Sequence, residues 1–188
     1  MAHQNRPKSN VQPADPVSQG ADDSKAGSEG VGRTGGSGPG LKARAVRLLS
    51  LREHSRKELA RKLSVQAPDQ DRLEQVLDEL EREGWQSDHR FVQSFERTNL
   101  ERYGSVRIAM AMRERGVGEE LVRESLERMK ETETERAWTV WNKRYGQQGL
   151  PADPKAYAKH ARFLAARGFS GEVVSKILSG RFEGPEQD

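Results

Sequence analysis

Thirteen residues of this chain recur. The segment ERGVGEELVRESL (114–126) aligns without gaps to ARGFSGEVVSKIL (166–178), an offset of 52 residues. Arg115–Gly116 meets Arg167–Gly168, Glu120 meets Glu172, Val122 meets Val174 and Leu126 meets Leu178. That offset lies in the range of helical solenoid units. A unit this small cannot bury a large core alone, so neighbouring units must stack. A fainter echo lies upstream, where Ser55, Leu59 and Leu63 share their spacing with Gly104, Ile108 and Met112.

The punctuation around these repeats is helical. Leu41, Ala45, Leu48 and Leu49 fall on one helix face. Ser55 with Glu58 forms a capping box ahead of Leu59 and Leu63. Pro68–Asp69 opens a third helix carrying Leu73, Val76, Leu77 and Leu80, and Gly84 ends it. The plan runs again from Ser87, with Phe91, Val92 and Phe95, a break at Tyr103–Gly104–Ser105, then Ile108, Ala109 and Met112 up to Gly116. Gly118 opens the next helix, with Leu121, Val122, Ser125, Leu126 and Met129. A third round starts at Thr132 and Glu135, another capping box, with Ala137, Trp138, Trp141 and Tyr145 facing inward. Pro154 then suits a first helical turn. Tyr157, Ala161 and Leu164 face inward there, Gly168 stops the helix, and Ser170 caps a last one bearing Val173, Val174, Ile177 and Leu178.

The expected fold is therefore all-α. Nine helices form three tandem three-helix repeats (41–86, 87–130 and 131–182) stacked into an elongated curved array. Residues 183–188 form a short C-terminal tail, and Trp85 wedges between the first two repeats. Residues 1–40 hold 8 of the 18 glycines, 4 of the 8 prolines and none of the eleven aromatic residues. They bury too little apolar surface to offset their ordering entropy, and a disordered tail is expected.

Charge is balanced overall at +3 but unevenly placed. Residues 41–63 carry +6 and residues 64–90 carry −5, a polarised surface rather than a uniformly basic one. No apolar run approaches the roughly 20 residues needed to cross a bilayer, and MAHQNRPKSN lacks a secretory h-region. With no cysteines, disulfides and thiol chemistry are excluded, and a cytoplasmic setting fits.

The sequence offers little chemistry. It has no glycine-rich phosphate loop, and His3, His54, His89 and His160 show no metal-ligand spacing. No catalytic triad is arguable from these spacings, and acid pairs such as Glu119–Glu120 read as solvated surface. A protein without catalytic residues, metal or cofactor is expected. Basic stripes carry more information. Lys155, Lys159 and Arg162 fall at i, i+4, i+7, with shorter stripes at Arg44 and Arg47 and at Lys57 and Arg61. Each alone suits a solvated helix face, but several on one array suit phosphates or an acidic groove. Trp138, Trp141 and Tyr145 have the spacing of a base-stacking platform, though the inner stripe of an amphipathic helix is the simpler reading.

These residues resemble the RecX regulatory proteins of bacteria. REHSRKELARKL (52–63), DELEREGWQSDHRFVQSFERTNLERYGSVRI (78–108) and RERGVGEELV (113–122) carry the likeness. Its most specific part is Gly84–Trp85, then Asp88, Arg90 and Phe91, then Arg97 and Gly104. Gln86–Ser87 departs from the apolar-then-Asn/Asp pair expected there. Lys155, Arg162, Phe163, Leu164, Arg167, Gly168 and Phe169 look like the family's C-terminal repeat.

The resemblance implies a modulator of the RecA recombinase. Such a protein lies in the groove of the RecA–single-stranded DNA filament and limits filament growth, ATP hydrolysis and strand exchange. The expected contacts with RecA and with DNA phosphates are Arg97, Arg102, Arg107, Arg113 and Arg115 in the second repeat, and Lys155, Lys159, Arg162 and Arg167 in the third. Gly84, Gly104, Gly116 and Gly168 are expected as structural turns, with Asp88 and Arg90 tying the first two repeats together. The chain is expected to act as a monomer. Two rivals remain at this stage: a sequence-independent DNA-binding protein that acts without RecA, and a helical scaffold for another protein.

Overall fold

The computed structural model describes residues 39–182 and 184, all within one compact unit, Gly35–Asp188. Eight α-helices follow in order: α1 (Pro39–Leu51), α2 (Arg56–Leu63), α3 (Gln70–Arg82), α4 (Asp88–Asn99), α5 (Ser105–Glu114), α6 (Glu119–Tyr145), α7 (Pro154–Ala165) and α8 (Gly171–Leu178). There is no strand among the described residues, and the fold is all-α with three three-helix repeats. The tail expected at 1–40 lies outside the described residues except for Pro39 and Gly40, which form the first turn of α1. Of the expected tail 183–188, only Gly184 is described.

Local chemistry sets the helix starts. The side chains of Ser55, Asp69, Ser87, Asp153 and Ser170 each accept a hydrogen bond from an amide in the first turn of their helix. Those amides have no partner within the helix. Apolar faces then pack within each group. Leu41, Ala45, Leu59, Leu63, Leu73, Val76, Leu77 and Leu80 form the core of α1–α3. Phe91, Val92, Ile108, Met112, Val122 and Met129 are buried where α4, α5 and α6 meet. Ala137, Trp141, Tyr145, Leu164, Phe169, Val174, Ile177 and Leu178 form the core of α6–α8, so Trp141 and Tyr145 are packed inside.

The ninth helix does not exist as a separate element. α6 runs unbroken for 27 residues and belongs to both the second and third repeats. No glycine or proline lies between Gly118 and Gly146, and the segment is rich in strong helix formers. Thr132, expected as a cap, sits mid-helix, where its hydroxyl accepts from Arg136 Nε at 3.2 Å. At 1.5 Å per residue α6 spans about 40 Å.

Two further expectations are corrected. Trp85 does not wedge between repeats and is 49% exposed. Gln86 takes that place: it is buried, and its amide donates to the His54 carbonyl at 3.3 Å and to Asp88 Oδ1 at 2.8 Å. Polar groups thus fill the junction where the family pattern suggests an apolar one. On α7 the buried pair is His160 and Leu164, while Tyr157 is 39% exposed.

The two junctions between repeats are built alike. At the first, Ser55 Oγ donates to the Arg115 carbonyl at 2.6 Å, and Asp88 Oδ1 accepts from the Arg56 amide at 2.9 Å. At the second, the Gly104 amide donates to the Arg167 carbonyl at 2.9 Å, and Glu133 Oε1 accepts from the Ser105 amide at 2.9 Å. In each case the middle helix of one repeat starts on the Arg–Gly turn of the next. In each case a carboxylate from the next repeat's first helix holds its first amide.

Candidate functional site

The cations of the third repeat are presented by α7, whose start is fixed by Asp153 and Pro154. Lys155, Lys159 and Arg162 are all exposed, and none of them pairs with an acid among the described residues. Arg162 Nε donates to the Ala158 carbonyl at 3.1 Å, which holds the side chain along the helix. Charges presented this way keep their full field for a partner.

A second group of cations lies where the second and third repeats meet, and aromatic rings thread through it. The Arg167 guanidinium sits 3.8 Å above the Phe163 ring and donates to the Phe163 carbonyl at 3.2 Å. Phe163 meets Tyr145 edge-on at 5.2 Å. Lys159 Nζ lies 5.5 Å and Arg144 6.0 Å from the centre of the Tyr145 ring. From the other side Arg107 packs on the Gly168 turn, donates to the Ala166 carbonyl at 3.0 Å and lies 4.7 Å over Tyr103. Burial lowers the Arg167 pKa from its ordinary value, and the Arg107 and Arg144 charges act the same way against the opposing pull of Tyr103 and Tyr145. A guanidinium stays charged regardless.

The structure thus sorts the expected contact residues. Arg107 and Arg167 meet at the second junction, Lys159 lies beside Tyr145, and Lys155 and Arg162 are exposed on α7. Arg97 and Arg102 are exposed on and just after α4, without an ion pair among the described residues. Arg113 is engaged by Glu119, and its pKa is raised by that bond. Arg115 is a tie inside the protein: it pairs with Glu58 at 3.2 Å, donates to the Ala111 carbonyl and stacks on Phe95 at 4.8 Å. Arg90 likewise binds Glu53 at 2.8 Å and the carbonyls of Gly84 and Trp85. Arg144 was missed by sequence reasoning because it sits among the aromatic residues of α6, which direct attention to the core.

Among the glycines, Gly84, Gly116 and Gly168 adopt positive φ of 75°, 77° and 81°. Gly104 has an ordinary φ of −75° and is needed for a different reason, its contact with the backbone of Gly168 and Phe169.

Glu58 is the most strongly perturbed acid of the first junction. Burial would raise its pKa, but His54 Nδ1 at 3.1 Å and Arg52 at 3.0 Å outweigh that and hold it at about 2. His160 is buried beneath Tyr145 and accepts from Trp141 Nε1 at 3.3 Å. Both are structural tasks. No group of three or more metal-ligating side chains occurs among the described residues. No described helix is long and apolar enough to cross a membrane.

Comparison with known proteins follows the same division into repeats. Family models described as the first, second and third three-helix domains of RecX match residues 42–80, 87–126 and 131–178. A protein of Chromobacterium violaceum named "Regulatory protein RecX" is 43% identical over 143 residues, covering 76% of this chain and 91% of that protein. Its namesake in Leptothrix cholodnii is 42% identical over 138 residues, covering 73% and 87%. The crystal structure of RecX from Lactobacillus salivarius superimposes with a TM-score of 0.67 at 19% identity, over 75% of this chain and 94% of that one, and so shares the fold.

Proposed function

The chain belongs to the RecX family, and we propose that it inhibits the RecA recombinase by binding in the groove of the RecA–single-stranded DNA filament. In that position it limits filament growth, ATP hydrolysis and strand exchange. The observation that carries this reading is the family match across all three repeats, at 43% identity to a named regulator. The geometry agrees with it in kind. The first repeat consumes much of its charge internally: Arg56 binds Glu74, Asp78 and Glu81, and Lys42 binds Glu79 and Glu83. The third repeat exposes Lys155, Lys159 and Arg162, unpaired among the described residues. Those cations neutralise filament phosphates, which makes binding weaken as salt rises.

The test is the DNA-dependent ATPase rate of RecA from the same bacterium, titrated with this protein at fixed physiological salt. Inhibition well below equimolar amounts supports filament modulation. A folded protein without effect at several-fold excess over RecA discards it. The paired substitution Lys159→Glu with Arg162→Glu is expected to relieve inhibition while leaving helicity intact.

A further inference from the structure

We propose that Met110, on the outward face of α5, is a site of reversible oxidation by peroxides at which the regulatory activity of the protein is turned down. The oxidation itself stands on the sequence and the geometry. Its effect on activity rests on the function proposed above.

The chain has no cysteine and four methionines, so a sulfur that meets an oxidant is a thioether. Burial divides the three methionines among the described residues. Met112 is 0% and Met129 2% exposed, whereas Met110 is 59% exposed. The Met112 sulfur also accepts a hydrogen bond from the Ser125 hydroxyl at 3.7 Å, which occupies one of its lone pairs. Oxidation follows exposure, so the oxidant reaches Met110 first.

The reaction needs only that sulfur and a peroxide. A lone pair of Met110 Sδ attacks one oxygen of hydrogen peroxide, the O–O bond breaks, and the other oxygen leaves as water. Sulfur gives up two electrons and the peroxide takes them. Methionine sulfoxide reductases run the reverse step with two electrons from a dithiol, which ends as a disulfide, while the sulfoxide oxygen leaves as water. The chain has no thiol of its own, so the dithiol comes from outside it.

The position of the sulfur gives its oxidation a consequence other than damage. The middle helix of each repeat buries a pair of residues four apart: Leu59 and Leu63, Ile108 and Met112, His160 and Leu164. Two residues before the second member stand Arg61, Met110 and Arg162, all exposed. Met110 therefore replaces the cation that the other two repeats present there. Arg162 is among the expected filament contacts, so Met110 occupies the same face in the second repeat. Val106, one turn earlier and also exposed, widens the apolar step. A sulfoxide makes that step polar, and covering it with a partner then costs desolvation. The core, with Met112 and Met129 inside, is left alone.

The experiment treats the full chain with hydrogen peroxide, quenches with catalase and maps the products by trypsin digestion and tandem mass spectrometry. Residues 108–113 form one tryptic peptide, so its fragments compare Met110 with Met112 directly. Met110 is expected to oxidise about ten-fold faster than Met112 and Met129. Helicity by circular dichroism stays unchanged, and the two methionine sulfoxide reductases, one for each epimer, restore the thioether. The quenched protein is then titrated into the RecA ATPase assay beside Met110→Leu handled in the same way. Peroxide is expected to raise the wild-type concentration for half-inhibition about three-fold. It produces no such shift in Met110→Leu, which has no sulfur at that position.

The proposal is overturned by any of three results. Met112 or Met129 oxidises as fast as Met110 in the folded protein. The Met110 sulfoxide resists both reductases or lowers helicity, which makes it a lesion. Peroxide shifts the wild type and Met110→Leu by the same factor, whether by none or by several-fold. A wild type without effect on RecA before any treatment removes the RecA reading instead, and the first two results still decide the site.

Discussion

Gly104 meets Gly168 backbone against backbone. The Gly104 amide donates to the Arg167 carbonyl at 2.9 Å, and a Cβ at position 104 would collide with the Gly168 carbonyl. A glycine is required here by close approach and not by its own dihedral angles.

That distinction predicts an inversion. Gly84 has a positive φ but open space around it, so Gly84→Ala should cost only about 1 kcal/mol. Gly104→Ala needs no unusual backbone angle, yet it forces the second junction apart and should cost about 3 kcal/mol. Thermal melts of the two variants give the order, and a Gly104→Ala protein as stable as Gly84→Ala contradicts the close contact.

Glu133 performs a task that the residue at the start of α5 cannot. Gly104 has no side chain with which to cap α5, and Glu133 reaches from α6 to accept from both the Ser105 amide at 2.9 Å and the Ser105 hydroxyl at 2.6 Å. Glu133→Ala leaves those donors buried without an acceptor and should cost about 2 kcal/mol. Combined with Ser105→Ala, the cycle should show a coupling of about 1 kcal/mol, and strict additivity would remove the hydroxyl half of this contact.

Thr132 tests the continuity of α6. A true N-cap loses about 1 kcal/mol on replacement by Ala. In a helix interior the same change is neutral or stabilising by a few tenths, since Ala is the better helix former. Thr132→Ala is therefore expected to leave the melting temperature unchanged or slightly raised, and a clear drop restores the break.

Acid should loosen the molecule in two separate steps. Burial, with the nearby Lys159 charge, lowers the His160 pKa from 6.5. Above 6.5 the ring is neutral whether the chain is folded or not. As pH falls below that value the unfolded chain takes up the proton first, so the third repeat loses stability. Protonation also removes the acceptor used by Trp141 Nε1, which makes tryptophan emission the readout. Glu58 has the opposite chemistry and the same sign. Its stabilisation is complete above 4.5, the ordinary value, and is lost as pH falls towards about 2. A His160→Gln variant should lose the first step and keep the second.

Features set by neighbouring residues were legible in the sequence. Ser55, Asp69, Ser87 and Ser170 announce helices because each cap reaches only three residues ahead. The same pattern misleads at Thr132, where a short motif falls by composition within a glutamate-rich helix and has no neighbouring glycine or proline to support it. What stayed hidden is long-range. Asp88, which acts on Arg56 across 32 residues, was marked only by the family motif, and Glu133, which acts on Ser105 across 28, was marked by nothing local. Arg115 looked like a surface cation because Glu58, its partner, comes from another repeat. The stripe at Lys155, Lys159 and Arg162 was readable because one helix suffices to place it. The row that includes Arg144 was not, because it takes α5, α6 and α7 together.

The junction also distinguishes the third repeat from the first two. It is head-to-tail, the kind of contact that grows into open filaments when the two ends complement each other. Each repeat offers the next one an amide at the first position of its middle helix, from Arg56 and then from Ser105. At that position the third repeat has Pro154, which has no N–H to offer. Before it stands Asp153, whose carboxylate accepts from the Ala156 amide and lacks the hydroxyl that Ser55 donates. A residue that merely starts a helix thereby withholds the donor on which both junctions within the chain rely.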